Sequence, residues 1–171
     1  GSQGQMTDNI AIAYGAEIEN AVGGAGNDLI IGNALDNVLT GNDGNDVRVA
    51  GAGRDELIGG AGNDLFVFDT QLNGTIDQVQ DFNPLEDIFY LDDAIFTKLP
   101  DGTLSSPTKI WGTNLEDGVG ATANDSNDFL VYDKTTGQLS YDADGNGSGA
   151  GIVFAQLDTG LDLTAANFYM I

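Results

Sequence analysis

One short motif repeats five times in immediate succession and limits what this chain can fold into. Residues 23–67 divide into five units of nine residues, which read GGAGNDLII, GNALDNVLT, GNDGNDVRV, AGAGRDELI and GGAGNDLFV. Each unit opens with glycine and small polar residues, has Asp or Asn at its sixth position and ends in three mostly apolar residues. Glycine-rich segments favour tight turns, and three extended residues are enough for a short strand. The chain must therefore turn and extend once in every unit.

Two such units make one coil of 18 residues, and successive coils stack at about 4.8 Å. Large side chains at the eighth position would point inward and stack on their equivalents in neighbouring coils. Those residues are Ile30, Leu39, Arg48, Leu57 and Phe66. The sequence thus predicts an all-β fold that begins as a parallel β-roll, with two parallel sheets facing each other across a narrow core. Arg48 is the exception, and two interpretations stay open for it: it pairs with an acid at the edge of the core, or its strand lies where the roll opens.

The sixth position places acidic side chains along both edges of the roll, because residues 18 apart fall on the same edge. One edge carries Asp28, Asp46 and Asp64, and the other carries Glu19, Asn37 and Asp55. Carboxylates stacked a few ångströms apart repel each other by roughly 4 kcal/mol at an effective dielectric constant near 20. A divalent cation between coils would turn that repulsion into attraction. Calcium takes roughly six to eight oxygen ligands and fits a mixture of carboxylates and turn carbonyls better than magnesium does. We therefore expect several bound calcium ions.

The charge balance and the missing residue types exclude several classes of function. The chain has 27 acidic residues against five basic ones, a net charge of -22, and contains neither Cys nor His. Nucleic acids and anionic membrane surfaces require basic patches and are not expected partners. Thiol nucleophiles, Ser-His-Asp triads and zinc centres built on Cys or His are excluded. No apolar run reaches the length of a membrane-spanning helix. No pair of carboxylates is singled out as catalytic, so we predict that the chain is not an enzyme.

After Phe68 the glycine content falls, and short apolar runs bounded by turn residues predict an antiparallel, sandwich-like β region. The predicted strands cover 88–91, 109–111, 129–132, 138–141 and 152–155, with a hairpin turn at 133–137. Short helical pieces are expected near 84–87 and 164–167. The predicted organisation is a lead-in over 1–18, in which Gly1 and Ser2 are taken as cloning residues, a roll over 19–68 and the β region over 69–171.

The segment Asp142–Gly147 has the opening of an EF-hand loop, with acids at its first and third positions and glycine at its sixth. Val153 stands where such a loop needs a bidentate Glu. A polar hairpin turn and a calcium site both stay open for this segment.

The repeated unit resembles the nonapeptide G-G-x-G-x-D-x-U-x of the RTX (repeats-in-toxin) family. The five units keep phase, and Ile18-Glu19-Asn20-Ala21 before them and Leu65-Phe66-Val67-Phe68 at their end resemble the C-terminal β-roll of serralysin-type secreted metalloproteases. The resemblance implies that carbonyls at the second and fourth positions and the side chain at the sixth bind calcium. These positions, together with the first-position residue Gly41, give the expected calcium ligands of this sequence. They are Gly24, Gly26, Asp28, Asn33, Leu35, Asn37, Gly41, Asn42, Gly44, Asp46, Gly51, Gly53, Asp55, Gly60, Gly62 and Asp64.

Two further points follow from the same resemblance. Asp77, in the segment Asp77-Gln78-Val79-Gln80-Asp81-Phe82, resembles the residue that follows the roll in the family and is expected to close the last site. The second unit departs from the motif, with Leu35 in place of glycine and Asn37 in place of Asp, so its site would carry less negative charge.

The resemblance implies a calcium-binding, non-catalytic module of a secreted bacterial protein. Such a module would be disordered without calcium, would pass transiently through the type I secretion machinery and would fold outside the cell, with an effector domain N-terminal to it. The final residues, Phe168-Tyr169-Met170-Ile171, would end the secretion signal, with Asn167 where an acid is usual. The alternative is a calcium-scaffolded recognition module of an adhesin or polysaccharide-modifying enzyme, in which the region after residue 68 binds a glycan or a protein partner.

Overall fold

A computed structural model describes the backbone of residues 9–11 and all of residues 19–171. In this part of the chain the regular elements are fifteen β-strands and two short 3-10 helices. Apart from residues 9–11, the predicted lead-in over 1–18, including Gly1 and Ser2, lies outside the described residues.

The strands are short, as the three-residue apolar ends of the repeats predict. They are β1 (Asn9–Ala11), β2 (Asn20–Val22), β3 (Leu29–Ile31), β4 (Val38–Asp43), β5 (Val47–Val49), β6 (Glu56–Ala61), β7 (Leu65–Phe68), β8 (Asp77–Gln80), β9 (Ile88–Leu91), β10 (Thr108–Lys109), β11 (Leu115–Gly118), β12 (Leu130–Asp133), β13 (Gln138–Tyr141), β14 (Ile152–Gln156) and β15 (Phe168–Met170). The 3-10 helices are Gly112–Asn114 and Ala165–Asn167.

The strands form a parallel β-roll, which confirms the predicted fold class. Odd-numbered strands β1-β3-β5-β7-β9 lie side by side in one sheet, and even-numbered strands β2-β4-β6-β8 lie side by side in the other. Every neighbouring pair among these strands is parallel. Leu29 lies opposite Val47, and Val47 lies opposite Leu65, so one coil takes 18 residues as the repeat requires.

The parallel coil continues beyond Phe68, because β8 pairs with β6 and β9 pairs with β7. The later strands then extend the same two sheets: β14 pairs in parallel with β8, and β15 pairs in parallel with β9. Antiparallel pairing joins β12 to β13, β13 to β14 and β10 to β15, whereas β11 and β12 are parallel. A division between 68 and 69 stays a proposal about organisation, since both sheets cross it without a break.

Two local predictions concerned turns and helices. The hairpin turn at 133–137 joins β12 to β13, and Gly137 has a φ of 76°, which suits a glycine. Residues 84–86 form a turn rather than a helix, and the second helical piece is the 3-10 helix Ala165–Asn167. In this turn the carbonyl oxygen of Asn83 accepts the N–H groups of Glu86 and Asp87.

One hydrophobic core runs through the roll and the later strands. The eighth-position side chains Ile30, Leu39, Leu57 and Phe66 are fully buried, as predicted. At the end of the roll the ring of Phe89 stacks on Phe82 at 4.4 Å and on Phe168 at 5.3 Å between centroids. Aromatic rings bury a large apolar area per residue, so this cluster covers the last coil and binds the C-terminal strand to it.

Candidate calcium sites

The acidic side chains of one edge form a continuous ladder with the backbone. The N–H of Asp28 donates to Oδ1 of Asp46 at 2.8 Å, the N–H of Asp46 to Oδ1 of Asp64 at 3.0 Å, and the N–H of Asp64 to Oδ1 of Asp87 at 2.9 Å. All four side chains are buried. We call this row the first edge. The carboxylates of Asp46, Asp64 and Asp87 are therefore each fixed by an N–H of the coil before them.

The second edge repeats this arrangement with Asn37, Asp55 and Asp77. The N–H of Asn37 donates to Oδ1 of Asp55 at 2.8 Å, and the N–H of Asp55 to Oδ1 of Asp77 at 2.9 Å. All three side chains are buried. The structure thus brings Asp77 into line with Asp55, although it follows by 22 residues rather than 18. The second edge carries less negative charge than the first.

Asp87 is a functional candidate that the sequence reasoning missed. It follows Asp64 by 23 residues, so it falls outside the 18-residue period of the repeats. A signal was present: Asp87-Ile88-Phe89 repeats the order acid, aliphatic residue, aromatic residue of Asp64-Leu65-Phe66.

The remaining oxygen of each edge carboxylate, Oδ2, shows whether the edges could bind a cation. Oδ2 of Asp28 accepts the N–H of Gly24 at 2.6 Å, and Oδ2 of Asp87 accepts the N–H of Asn83 at 2.8 Å. Oδ2 of Asp55 and Oδ2 of Asp64 are buried and accept no hydrogen bond from the described residues. A buried carboxylate oxygen without a partner is energetically costly, and a bound cation would remove that cost. Both edges therefore fit calcium.

Backbone carbonyls line the same edges. The carbonyl oxygens of Asn33, Asn42, Gly26, Leu35 and Gly44 each face a glycine 18 residues later, and a Cβ built on that glycine would collide with the oxygen. Those glycines are Gly51, Gly60, Gly44, Gly53 and Gly62 respectively. Second-position and fourth-position carbonyls thus point from one coil towards the next. No group of three or more acidic side chains converges on one point within the described residues, so each candidate site depends on these carbonyls as well as on carboxylates.

Glu19 keeps the register of the second edge but does not present its carboxylate in the same way. Its carbonyl oxygen accepts the N–H of Val38 at 2.7 Å, as that of Asp28 accepts the N–H of Val47. Its side chain is exposed, whereas Asn37 and Asp55 are buried.

Arg48 pairs with acids at the edge of the core, which decides between the two interpretations left open for it. Its side chain is fully buried, and its Nη2 lies 2.6 Å from the carbonyl oxygen of Gly59, 3.2 Å from Oδ1 of Asp64 and 3.5 Å from Oδ2 of Asp46. The guanidinium carbon is 4.9 Å from the ring centroid of Phe66.

The segment Asp142–Gly147 lies in the connection between β13 and β14. Oδ1 of Asp142 accepts the N–H of Asp144 at 3.2 Å, and Oδ2 of Asp144 accepts the N–H of Gly149 at 3.1 Å. Its acids therefore accept hydrogen bonds from its own backbone, which is the hairpin-turn arrangement.

Burial raises the pKa of the edge carboxyls. It raises the pKa of Asp55 to about 7, and the pKa values of Asp77 and Asp87 each to about 6. Burial also raises the pKa of Asp46 and Asp64, with the charge of Arg48 acting in the opposite direction. Without a cation these groups bind protons more readily than ordinary carboxyls do, so calcium and protons compete for them.

This competition predicts that the metal-free protein is more stable in mild acid than at neutral pH. The folded-state pKa values exceed the unfolded value of 3.8, so the folded state binds more protons between about pH 4 and pH 7. The free energy of unfolding should then fall as the pH rises through this window. Because the calcium-free chain is expected to be largely unfolded near neutral pH, far-UV circular dichroism of decalcified protein at about pH 5 and about pH 7.5 measures the difference as a larger β-sheet signal at the acidic pH. An equal or smaller β-sheet signal at the acidic pH would contradict the prediction.

A parallel β-roll with acidic side chains and carbonyls stacked along both edges defines a calcium-binding repeat module of the RTX type. The profile of the peptidase M10 serralysin C-terminal family matches residues 2–99, more than half of the chain, and the chain belongs to this family. The family consists of non-catalytic repeat modules found in secreted proteins. Within the residues that the structure describes, no helix is long and apolar enough to span a bilayer.

Among solved structures, the chain is similar to the AlgE6R3 subunit of the Azotobacter vinelandii mannuronan C5-epimerase, determined in solution. The sequences are 19% identical, and the alignment covers 95% of this chain and 78% of that one, with a TM-score of 0.46. A similarity of this size carries no argument about function. A search of curated proteins gives no match.

Proposed function

We propose that this chain folds when extracellular calcium binds between its successive coils, and that it serves type I secretion and post-export folding of a secreted bacterial protein. The observation that carries the proposal is a pair of buried carboxylate oxygens, Oδ2 of Asp55 and Oδ2 of Asp64, which have no hydrogen-bond partner in the described part of the chain. One lies on each edge, in the space between two successive coils where an ion would bind. We call each such space a step and name it by the two sixth-position residues, or their equivalents, that flank it. Calcium contributes folding free energy when it binds only the folded chain.

The chain's charge supports a switch of this kind. With 27 acidic and five basic residues, the calcium-free chain repels itself, and its coils stack carboxylate upon carboxylate. Inside the cell, where calcium is scarce, the chain would remain unfolded and able to pass a narrow secretion channel. Outside, sites with dissociation constants on the order of 10⁻⁴ to 10⁻³ M would fill. The transient partner is then the type I secretion machinery, and an effector domain N-terminal to this chain would fold beside the roll.

The assigned ligands follow the two edges. Calcium ions lie at the steps Asp28–Asp46 and Asp64–Asp87 on the first edge and at Asn37–Asp55 and Asp55–Asp77 on the second. Second-position and fourth-position carbonyls complete the coordination. Asp87 joins the set predicted from the sequence, and Glu19 is the weakest member because its side chain is exposed.

The secretion machinery would have to recognise the predicted C-terminal secretion signal before the chain folds. Phe168 and Met170 are fully buried in β15, and the side-chain amide of Asn167 donates to the carbonyl oxygens of Pro84 and Asp87 at 2.8 and 3.1 Å. Secretion machinery could contact these residues only in the unfolded chain. The alternative recognition module is less well supported, because Trp111 is the one large aromatic side chain exposed in the described residues, too little for a glycan platform.

A calcium titration of decalcified protein, followed by far-UV circular dichroism, tests the proposal. We expect a cooperative gain of β-sheet signal near millimolar calcium and little response to magnesium, which keeps its waters and prefers a smaller octahedral site. A chain that is fully folded without calcium and indifferent to it would contradict the switch.

A matched pair of variants links the transition to the assigned sites. Asp55→Asn keeps an oxygen that can accept the N–H of Asn37 but removes the charge, so the calcium midpoint should rise about tenfold. Asp101→Asn removes a charge from an exposed position outside the roll and should leave the midpoint unchanged. Equal midpoints for the two variants would remove Asp55 from the ligand set.

A further inference from the structure

Three places along the first edge, beside Gly23, Gly41 and Gly59, each have a sixth-position carboxylate oxygen, and the middle one also has a cation. Beside Gly23 lie Oδ2 of Asp28 and the carbonyl oxygen of Gly41, within 2.6 and 2.7 Å of the position a Cβ would take. Beside Gly41, one coil later, lie Oδ2 of Asp46 and the carbonyl oxygen of Gly59. Both of these places therefore have a sixth-position carboxylate and the first-position carbonyl of the next coil.

The middle place also holds a cation. Nη2 of Arg48 lies there, in contact with Asp46, Asp64 and the carbonyl oxygen of Gly59. At the first place the corresponding eighth-position residue is Ile30, which carries no charge. At the third place, beside Gly59, the neighbouring atoms are Oδ2 of Asp64 and Oδ1 of Asp81, both acidic. The positive charge is thus present at one step of the first edge and absent from the steps before and after it.

The burial of Arg48 is explained by this partnership. Moving a guanidinium out of water costs several kcal/mol, and the cost is offset only by close opposite charges and hydrogen bonds. Its Nε and Nη1 have no hydrogen-bond partner among the described residues, and its remaining contact is the face of Phe66. The two carboxylates and the Gly59 carbonyl therefore account for its position.

We propose that Arg48 takes the place of one calcium ion, so that the step from Asp46 to Asp64 is held by the guanidinium and the other steps by calcium. This inference rests on the proposed calcium binding. It predicts that two of the three steps on the first edge bind calcium and that the step from Asp46 to Asp64 does not. It also predicts that a neutral residue at position 48 creates a calcium site that the natural chain lacks.

Isothermal titration calorimetry of the full chain with calcium alone tests this, using three variants. Arg48→Ile introduces the residue found one coil earlier, Arg48→Gln keeps a polar side chain but removes the charge, and Arg48→Lys keeps the cation. We expect Arg48→Ile and Arg48→Gln to bind one more calcium ion per chain than the natural protein and to fold at saturating calcium. Arg48→Lys should bind the natural number.

The outcomes separate the inference from the proposed function. An unchanged calcium number in Arg48→Ile and Arg48→Gln, with normal binding by the natural chain, would overturn the inference alone. Failure of both variants to fold at saturating calcium would also overturn it, because calcium should then replace the guanidinium. No calcium binding by the natural chain would overturn the proposed function and the inference together.

Discussion

Gly60→Ala is expected to lower the free energy of unfolding by more than about 4 kcal/mol, even at saturating calcium. Gly60 has a φ of 95°, and a Cβ at this position would overlap the carbonyl oxygen of Asn42 in the coil before. That collision is with backbone, so no side-chain movement relieves it. The two coils would have to separate, which would break the stacking of their edges between Asn42 and Gly60. Guanidinium chloride denaturation in excess calcium measures the loss.

Gly74→Ala is the matched control for this variant. Gly74 has a φ of 89°, nearly that of Gly60, but a Cβ there would have no atom within 4 Å. It therefore introduces the same backbone strain without the collision, and we expect a loss of about 1 to 2 kcal/mol. Losses of equal size in the two variants would show that backbone strain, and not the stacking of coils, determines the effect.

Phe89→Ala should produce the second large effect, a loss of about 3 to 5 kcal/mol. Phe89 is fully buried, and its ring contacts those of Phe66, Phe68, Phe82 and Phe168 at centroid distances of 4.4 to 5.9 Å. Truncation would leave a cavity among four rings that come from β7, the loop after β8 and β15, so little collapse is possible. The calcium midpoint should also rise, because binding must then stabilise a weaker fold.

Tyr90→Ala is the control for this cavity. Tyr90 is the next residue of β9, is partly exposed and has one ring neighbour, Tyr169, at 6.2 Å. We expect a loss of less than about 1.5 kcal/mol in urea denaturation at saturating calcium. If Tyr90→Ala were as damaging as Phe89→Ala, the aromatic cluster would not be the feature that secures the end of the roll.

The period of the sequence was enough to predict the coil, because five units in phase allow one stacking register. It could not predict the last coil, since Asp77 follows Asp55 by 22 residues and Asp87 follows Asp64 by 23. In the folded chain both residues still occupy the register of their edges, because the buried N–H groups of one coil need acceptors in the next. The extra residues are absorbed in loops, where length is weakly constrained.

Side-chain direction and distant partners were harder to predict than register. Glu19 has the spacing of the second edge, yet spacing fixes its backbone and not the exposure of its carboxylate. The partners of Arg48 depend on which coil lies above it, so the sequence left its position undecided. Asn167 hydrogen-bonds to carbonyls 80 and 83 residues earlier, a contact that no local pattern encodes.

The placement of β14 beside β8 and of β15 beside β9 has a consequence for the order in which the parts of the chain fold. Both sheets of the roll are extended by residues from the end of the chain, and Phe168 stacks on Phe89 across about half the sequence. Contacts this far apart along the chain form late and make folding slow. Until β14 and β15 have paired, the two sheets of the roll end in open edges at β8 and β9, and Phe89 lacks one of its stacking partners. The first coils therefore reach their final stability only after strands far along the chain have joined the same sheets.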